Sequence, residues 1–84
     1  MPLSAIAVQH AKGREKPYKL TDSGGLYLLV KPDGRRYWRF NYRFRDKQNT
    51  LALGVYPDVT LAEAREKSDI TRKILAAGED PAER

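Results

Sequence analysis

The residues from Tyr37 to Arg45 separate into two unlike sets when read with a period of two. Even positions give Trp38, Phe40, Tyr42 and Phe44, and odd positions give Tyr37, Arg39, Asn41, Arg43 and Arg45. Side chains alternate across a β-strand, so this segment, taken as a strand over residues 36–45, has an aromatic face and a cationic face. The aromatic row belongs to the core, because leaving it in water would forfeit a large apolar burial. The same alternation places Leu26, Leu28 and Val30 inward on a preceding strand, and Leu51 and Leu53 inward on a following one. Tyr27, Leu29, Lys31, Gln48, Thr50 and Ala52 then join the arginines outside. Pro32-Asp33-Gly34 provides the first turn, since proline presets φ and glycine accepts φ > 0, and the chain reverses again around Asp46-Lys47. The pattern predicts an antiparallel three-stranded meander.

Helical signals flank it. Residues 3–12 suit a short helix with Ser4 as N-cap and Gly13 just past its end, too short to stand without packing. Residues 13–20 read as a basic linker broken by Pro17, and Asp22-Ser23-Gly24-Gly25 as a turn. Thr60-Leu61-Ala62-Glu63 carries a capping-box signature, and the helix it starts is expected to reach about Ala77, where Gly78 and Pro81 stop it. Leu61, Ala64, Ser68, Thr71 and Leu75 form its narrow inward stripe, with Ile74 beside it and Ile70 off it. The expected class is therefore α+β: a three-stranded antiparallel sheet, a short N-terminal helix, and a C-terminal helix packed on one face.

Length and composition narrow the function. A chain of 84 residues is room for one domain. There is no cysteine for a disulfide or thiolate site, and the single histidine, His10, cannot build a metal centre unaided. No apolar run approaches the ~18 residues of a membrane span and no export signal opens the chain, so a soluble, cytoplasmic protein is expected. Sixteen Lys and Arg against eleven Asp and Glu give a net charge of +5. Residues 31–47 hold seven of those cations and two of the anions, which is the whole excess. Charge focused in this way attracts polyanions.

A short ribbon of strands can enter the major groove of DNA, where Arg pairs bidentately with guanine and Asn or Gln with adenine. The residues expected at base edges are Tyr27, Arg39, Asn41, Arg43 and Thr50. Those expected at phosphates, which position without specifying, are Lys31, Arg36, Tyr37, Arg45, Lys47 and Gln48. Charged side chains on an open sheet face are ordinary, and they also blunt edge pairing. Three features favour the functional reading. The outward residues are nearly all of one sign, arginine outnumbers lysine in the strand, and Asn41 sits mid-strand against its β-propensity. Gly24-Gly25 reads as a turn, because no phosphate-binding signature follows it. Glu63, Glu66 and Asp69 read as a solvated helix face without an acid–base partner. No catalytic residue, metal, cofactor, small-molecule substrate or membrane partner is expected. Two other classes fit the same face: a single-stranded RNA module with Tyr27 and Tyr37 as stacking platforms, and a protein-docking domain with an acidic partner.

Five segments in order carry a family resemblance: Asp22-Ser23-Gly24-Gly25-Leu26-Tyr27-Leu28, Trp38-Arg39-Phe40-Asn41-Tyr42-Arg43, Leu53-Gly54-Val55-Tyr56-Pro57, Leu61-Ala62-Glu63-Ala64-Arg65 and Gly78-Glu79-Asp80-Pro81. From Leu3 to Pro81 the chain resembles the N-terminal arm-type DNA-binding domain of phage and genomic-island integrases of the tyrosine recombinase family. The resemblance implies a three-stranded sheet that binds arm-type attachment sites in double-stranded DNA within a bacterial cell. It also implies integrase protomers and an excisionase or directionality factor as further partners. Residues 1–80 would be the DNA-binding domain and 81–84 the start of a linker to core-binding and catalytic domains. The family's catalytic arginines, histidine and tyrosine belong to that later part, so none is assigned to His10 or to a tyrosine of this chain. The first helix ends Ala-Lys-Gly where Ala-Lys-Pro is frequent, and Ser23 and Asn41 occupy positions that vary.

Overall fold

The computed structural model, which describes residues 3–22 and 24–83, builds its sheet from four strands. These are β1 (Tyr18–Thr21), β2 (Leu26–Val30), β3 (Arg36–Phe44) and β4 (Lys47–Tyr56), in the spatial order β1-β2-β3-β4 and antiparallel throughout. The helices are α1 (Ala5–Gln9) and α2 (Leu61–Ala76), and a single 3-10 turn spans Pro81–Glu83. Ser23, expected in the turn before β2, lies outside the described residues.

The extra strand corrects the three-stranded expectation. Tyr18 and Leu20 are half-buried while Lys19 and Thr21 are exposed, so β1 does alternate. Four residues after a proline are too few for that alternation to stand out from a linker. Paired along β2 from Tyr18↔Val30 to Thr21↔Tyr27, β1 makes β2 an interior strand, and Leu28 and Val30 become fully buried.

The aromatic face of β3 is the core. Trp38, Phe40 and Tyr42 are buried with Leu26, Leu28, Val30, Leu61 and Ala64, while Phe44, Leu51 and Leu53 pack at the margin. β4 runs three residues past the expected end at Leu53, and its register slips. Trp38 pairs with Gly54 but Arg39 pairs with Ala52, which leaves Leu53 as a bulge. A side chain on Gly54 would collide with that of Val59. Glycine there lets residues 55–60 fold back over Trp38, whose indole Nε1–H donates to the Val59 carbonyl at 2.7 Å. A buried indole needs such a partner.

The C-terminal helix begins as the sequence predicts. Thr60 Oγ1 accepts from the Glu63 amide and the Glu63 carboxylate accepts from the Thr60 amide, so both halves of the capping box are made. Leu61, Ala64, Ser68 and Thr71 are buried against the sheet, and Ile70 is exposed. The first helix is shorter than expected and ends at Gln9. Ser4 caps it by accepting from the Ala7 amide, and Val8 is its buried residue. Its last carbonyls are met by a side chain from the sheet: Arg36 Nη1 donates to Val8 and Gln9 oxygens, both at 3.1 Å.

Two further links join distant parts. The Asp22 carboxylate, whose side chain is 2% exposed, accepts from Arg65 Nε at 3.0 Å and from the Leu3 amide at 2.9 Å. Arg65 also donates to the Leu3 carbonyl at 2.6 Å. On the other side of the core, the Tyr42 hydroxyl donates to Asp80 Oδ1 at 2.9 Å, and buried Pro81 follows.

Candidate nucleic-acid interface

The face of the sheet away from α2 is laid out in cross-strand rows. Thr21, Tyr27, Arg39 and Ala52 stand side by side; Lys19, Leu29, Tyr37 and Val55 form the row nearer the β2–β3 turn; Asn41 pairs with Thr50, and Arg43 with Gln48. None of these side chains is a carboxylate. Ladder pairing between β2 and β3 stops at Leu26↔Phe40, whereas β3 and β4 stay paired out to Phe44↔Lys47. Residues 41–50 therefore project as a two-stranded ribbon. Charge and shape coincide at its end, where Arg43, Arg45, Lys47 and Gln48 are all exposed.

Arg45 and Asp46 form the ribbon's turn with φ of 51° and 64°. Two left-handed residues in a row give the turn geometry that matches the twist of a hairpin, which is why the strands stay paired to the tip. β3 ends one residue before the expected Arg45, which lies in this turn with its guanidinium 5.2 Å from the Phe44 ring centre.

The structure brings Arg39, Asn41, Arg43, Gln48 and Thr50 onto one face of β3 and β4, with Arg45 at the tip. Thr50 Oγ1 donates to Asn41 Oδ1 at 2.8 Å, so the mid-strand asparagine has a cross-strand partner. The remaining predicted residues stand elsewhere. Tyr27 lies on the outward face but is only 6% exposed; Lys19 of β1 sits over its ring at 4.9 Å, and Arg39 is its β3 neighbour. It is a floor beneath the cationic side chains. Tyr37 is half-buried in the row nearer the β2–β3 turn, and Lys31 lies just past β2. Lys47 pairs with Phe44 and so shares that residue's face at the tip, opposite to Arg43. Arg36 shares Trp38's parity, not that of Arg39. Besides bonding α1, it stacks on Tyr56 at 4.5 Å.

Lys19, which the sequence leaves between a DNA-backbone contact and a linker residue, and Thr21, which it does not single out, belong to the same outward surface. Reading β1 as a strand, by the alternation of Tyr18 and Leu20 with Lys19 and Thr21, is the signal that finds them. The charge near the β2–β3 turn is partly spent internally. Arg35 pairs with Asp33 at 3.3 Å, and its guanidinium is held above its already high ordinary value by a hydrogen bond with Tyr37 and then by Asp33. Arg39 Nε is buried without a hydrogen-bond partner, so a donor on this face is unsatisfied in the free protein. Among the described residues no cluster of His, Cys, Asp or Glu could hold a metal ion, and no helix is long and apolar enough to cross a membrane.

Comparison with known proteins identifies the family. A family model described as arm DNA-binding domain matches residues 3–84. The chain is 48% identical over 84 residues to prophage integrase IntZ of Escherichia coli strain K12, covering 98% of this chain and 21% of that protein. It is 49% identical to the integrase of Enterobacteria phage P4, covering 96% of this chain and 19% of that protein. To the integrase of Shigella phage Sf6 it is 42% identical, covering 94% and 20%. The chain spans about a fifth of the length of these relatives. The sequence segments that pointed to this family are joined in the fold: Asp22 to Arg65, Trp38 to Gly54, and Tyr42 to Asp80. The chain belongs to the arm DNA-binding domain family.

Proposed function

We propose that this chain binds double-stranded DNA at arm-type attachment sites by laying the β3–β4 ribbon into the major groove. One observation carries the reading: the outward rows of β3 and β4 present Arg39, Arg43, Asn41, Gln48 and Thr50 on a projecting hairpin with no carboxylate among them. A two-stranded ribbon fits the major groove, and arginine, asparagine and threonine side chains offer the donors and acceptors that read base edges there. Arg39, Asn41 and Arg43 take base-edge roles, Thr50 shares in them through its bond to Asn41, and Tyr27 supports Arg39 from below. Arg45, Lys47, Gln48, Lys31, Arg36 and Tyr37 would meet the flanking phosphates, Arg36 only if it leaves its carbonyl partners.

In the whole protein, residues 1–80 would form this unit and residues 81–84 begin the connection to core-binding and catalytic domains of a tyrosine recombinase. Holding the chain at an arm site raises the local concentration of those domains at the strands to be exchanged, without new contacts. Other protomers and a directionality factor would bind beside it on the same DNA.

The single-stranded RNA reading fits less well, since a tyrosine with the burial of Tyr27 offers no open ring for a base to stack on. Competition tests the choice. A bound duplex should resist displacement by single-stranded RNA at equal nucleotide concentration; displacement would overturn the major-groove reading. Absence of any duplex binding at low salt would leave the face to an acidic protein partner.

A further inference from the structure

The cross-strand bond between Thr50 and Asn41 determines how the asparagine meets a base. An amide side chain has a carbonyl end that accepts and an NH2 end that donates, about 120° apart around one carbon. Thr50 stands opposite Asn41 on β4 and donates to its Oδ1 at 2.8 Å, so the carbonyl end is turned toward β4. The NH2 end, on the other side of the same carbon, is thereby turned away from the Thr50 hydroxyl. On the β2 side of Asn41 is Gly25, whose carbonyl accepts from the Asn41 backbone N–H at 2.9 Å. Gly25 has φ of 97°, and a Cβ there would lie 2.5 Å from the Asn41 carbonyl oxygen, so the position does not admit a side chain. Position 25 therefore brings no side chain against Asn41 from the β2 side.

We propose that Thr50 is a positioning residue that presents Asn41 to the DNA as a hydrogen-bond donor. The base edge it selects is one offering acceptors, of which guanine, with N7 and O6 adjacent in the major groove, is the best match. A free asparagine would choose differently, since it turns its carbonyl to the adenine amino group and its NH2 to N7. With one Oδ1 lone pair committed to Thr50 and that end of the amide turned to β4, an exocyclic amino group facing Asn41 is disfavoured. Thr50, from the neighbouring strand, thus fixes the orientation of the amide. The inference rests on the major-groove reading proposed above.

The test is selection from a randomised DNA duplex with the wild-type chain, Thr50→Ser and Thr50→Val, followed by affinity measurements on the selected duplex and its single-base-pair variants. Thr50→Ser keeps the hydroxyl and should select the same sequence as wild type. Thr50→Val, nearly isosteric and well suited to a strand, should lose about tenfold discrimination at one base pair while preferences elsewhere persist. Replacing the guanine of that pair by 7-deazaguanine should weaken the wild type and leave Thr50→Val little changed. If Thr50→Val selects and discriminates as wild type does at every position, Thr50 does not set the amide and the proposal is wrong. A wild-type chain that binds duplexes with no sequence preference, or not at all, would also end the proposal, and would be recognised as failure of the underlying reading because no base pair is discriminated by any variant.

Discussion

Asp22 and Arg65 are 43 residues apart in sequence and form an ion pair at 3.0 Å in which the carboxylate is almost wholly buried and the guanidinium about half exposed. Arg65 also reaches the Leu3 carbonyl, and Asp22 the Leu3 amide, so the pair fastens the N-terminal segment and the end of β1 to α2. The hydrogen bond to Asp22 holds the Arg65 guanidinium above its ordinary value. Because that shift is upward, what Arg65 contributes through its charge persists across neutral pH and is lost only as pH rises through the raised value.

Arg65→Ala should lower stability by about 2 kcal/mol, less than the loss on breaking a fully buried pair because water reaches the arginine side. Arg65→Lys should fall between, since an ammonium cannot serve both carboxylate oxygens and the Leu3 carbonyl in one fixed fork. Urea denaturation of the three proteins checks the order. Equal stability of all three would show that Asp22 is satisfied without Arg65.

Ser68 gives a change of opposite sign. It is 2% exposed on the inward stripe of α2, and its hydroxyl has no hydrogen-bond partner. Ser68→Ala removes an unsatisfied polar group and improves helix propensity, so stability should rise by about 1 kcal/mol. A drop in the thermal midpoint would mean that the hydroxyl is paired in solution.

Trp38 separates folding from binding. It is fully buried, and Trp38→Ala should cost ~3–5 kcal/mol. Trp38→Phe should cost less but still leave the Val59 carbonyl without its donor. Calorimetry measures both losses. Unchanged folding with abolished duplex binding would mean that the two sheet faces have been assigned the wrong way round.

At the ribbon's tip, stability and affinity should move in opposite directions. Arg45 and Asp46 both occupy left-handed backbone, which Asn-Gly adopts with less strain. The double substitution Arg45→Asn/Asp46→Gly should stabilise the hairpin by roughly 0.5–1 kcal/mol. If Arg45 meets a phosphate, duplex affinity should fall and the slope of log affinity against log salt should flatten by about 0.9. A salt slope identical to wild type would remove Arg45 from the interface.

The split of β3 into aromatic and cationic faces was legible because four aromatics alternate with polar residues without a break, and β-strand geometry leaves one way to bury them. Thr60 and Glu63 marked the start of α2 because a capping box acts within four residues. What escaped the sequence was long-range. Arg36 looked like one more cation in a basic run, and only the fold places the Val8 and Gln9 carbonyls and the Tyr56 ring around it. Tyr27 has outward parity, yet its burial depends on Lys19 from a strand too short to announce itself. Thr50 and Asn41 could be put on one face by parity, but that they pair directly required the register.

The most direct measurement of the central claim is a backbone amide chemical-shift map of the chain titrated with a selected duplex. The largest shifts should fall on Arg39, Asn41, Arg43, Gln48 and Thr50 and on the ribbon tip, with the outward residues of α2, Glu66, Asp69 and Ile70, unmoved. Shifts concentrated on α2 while residues 39–50 stayed still would contradict the assignment of the DNA-reading face.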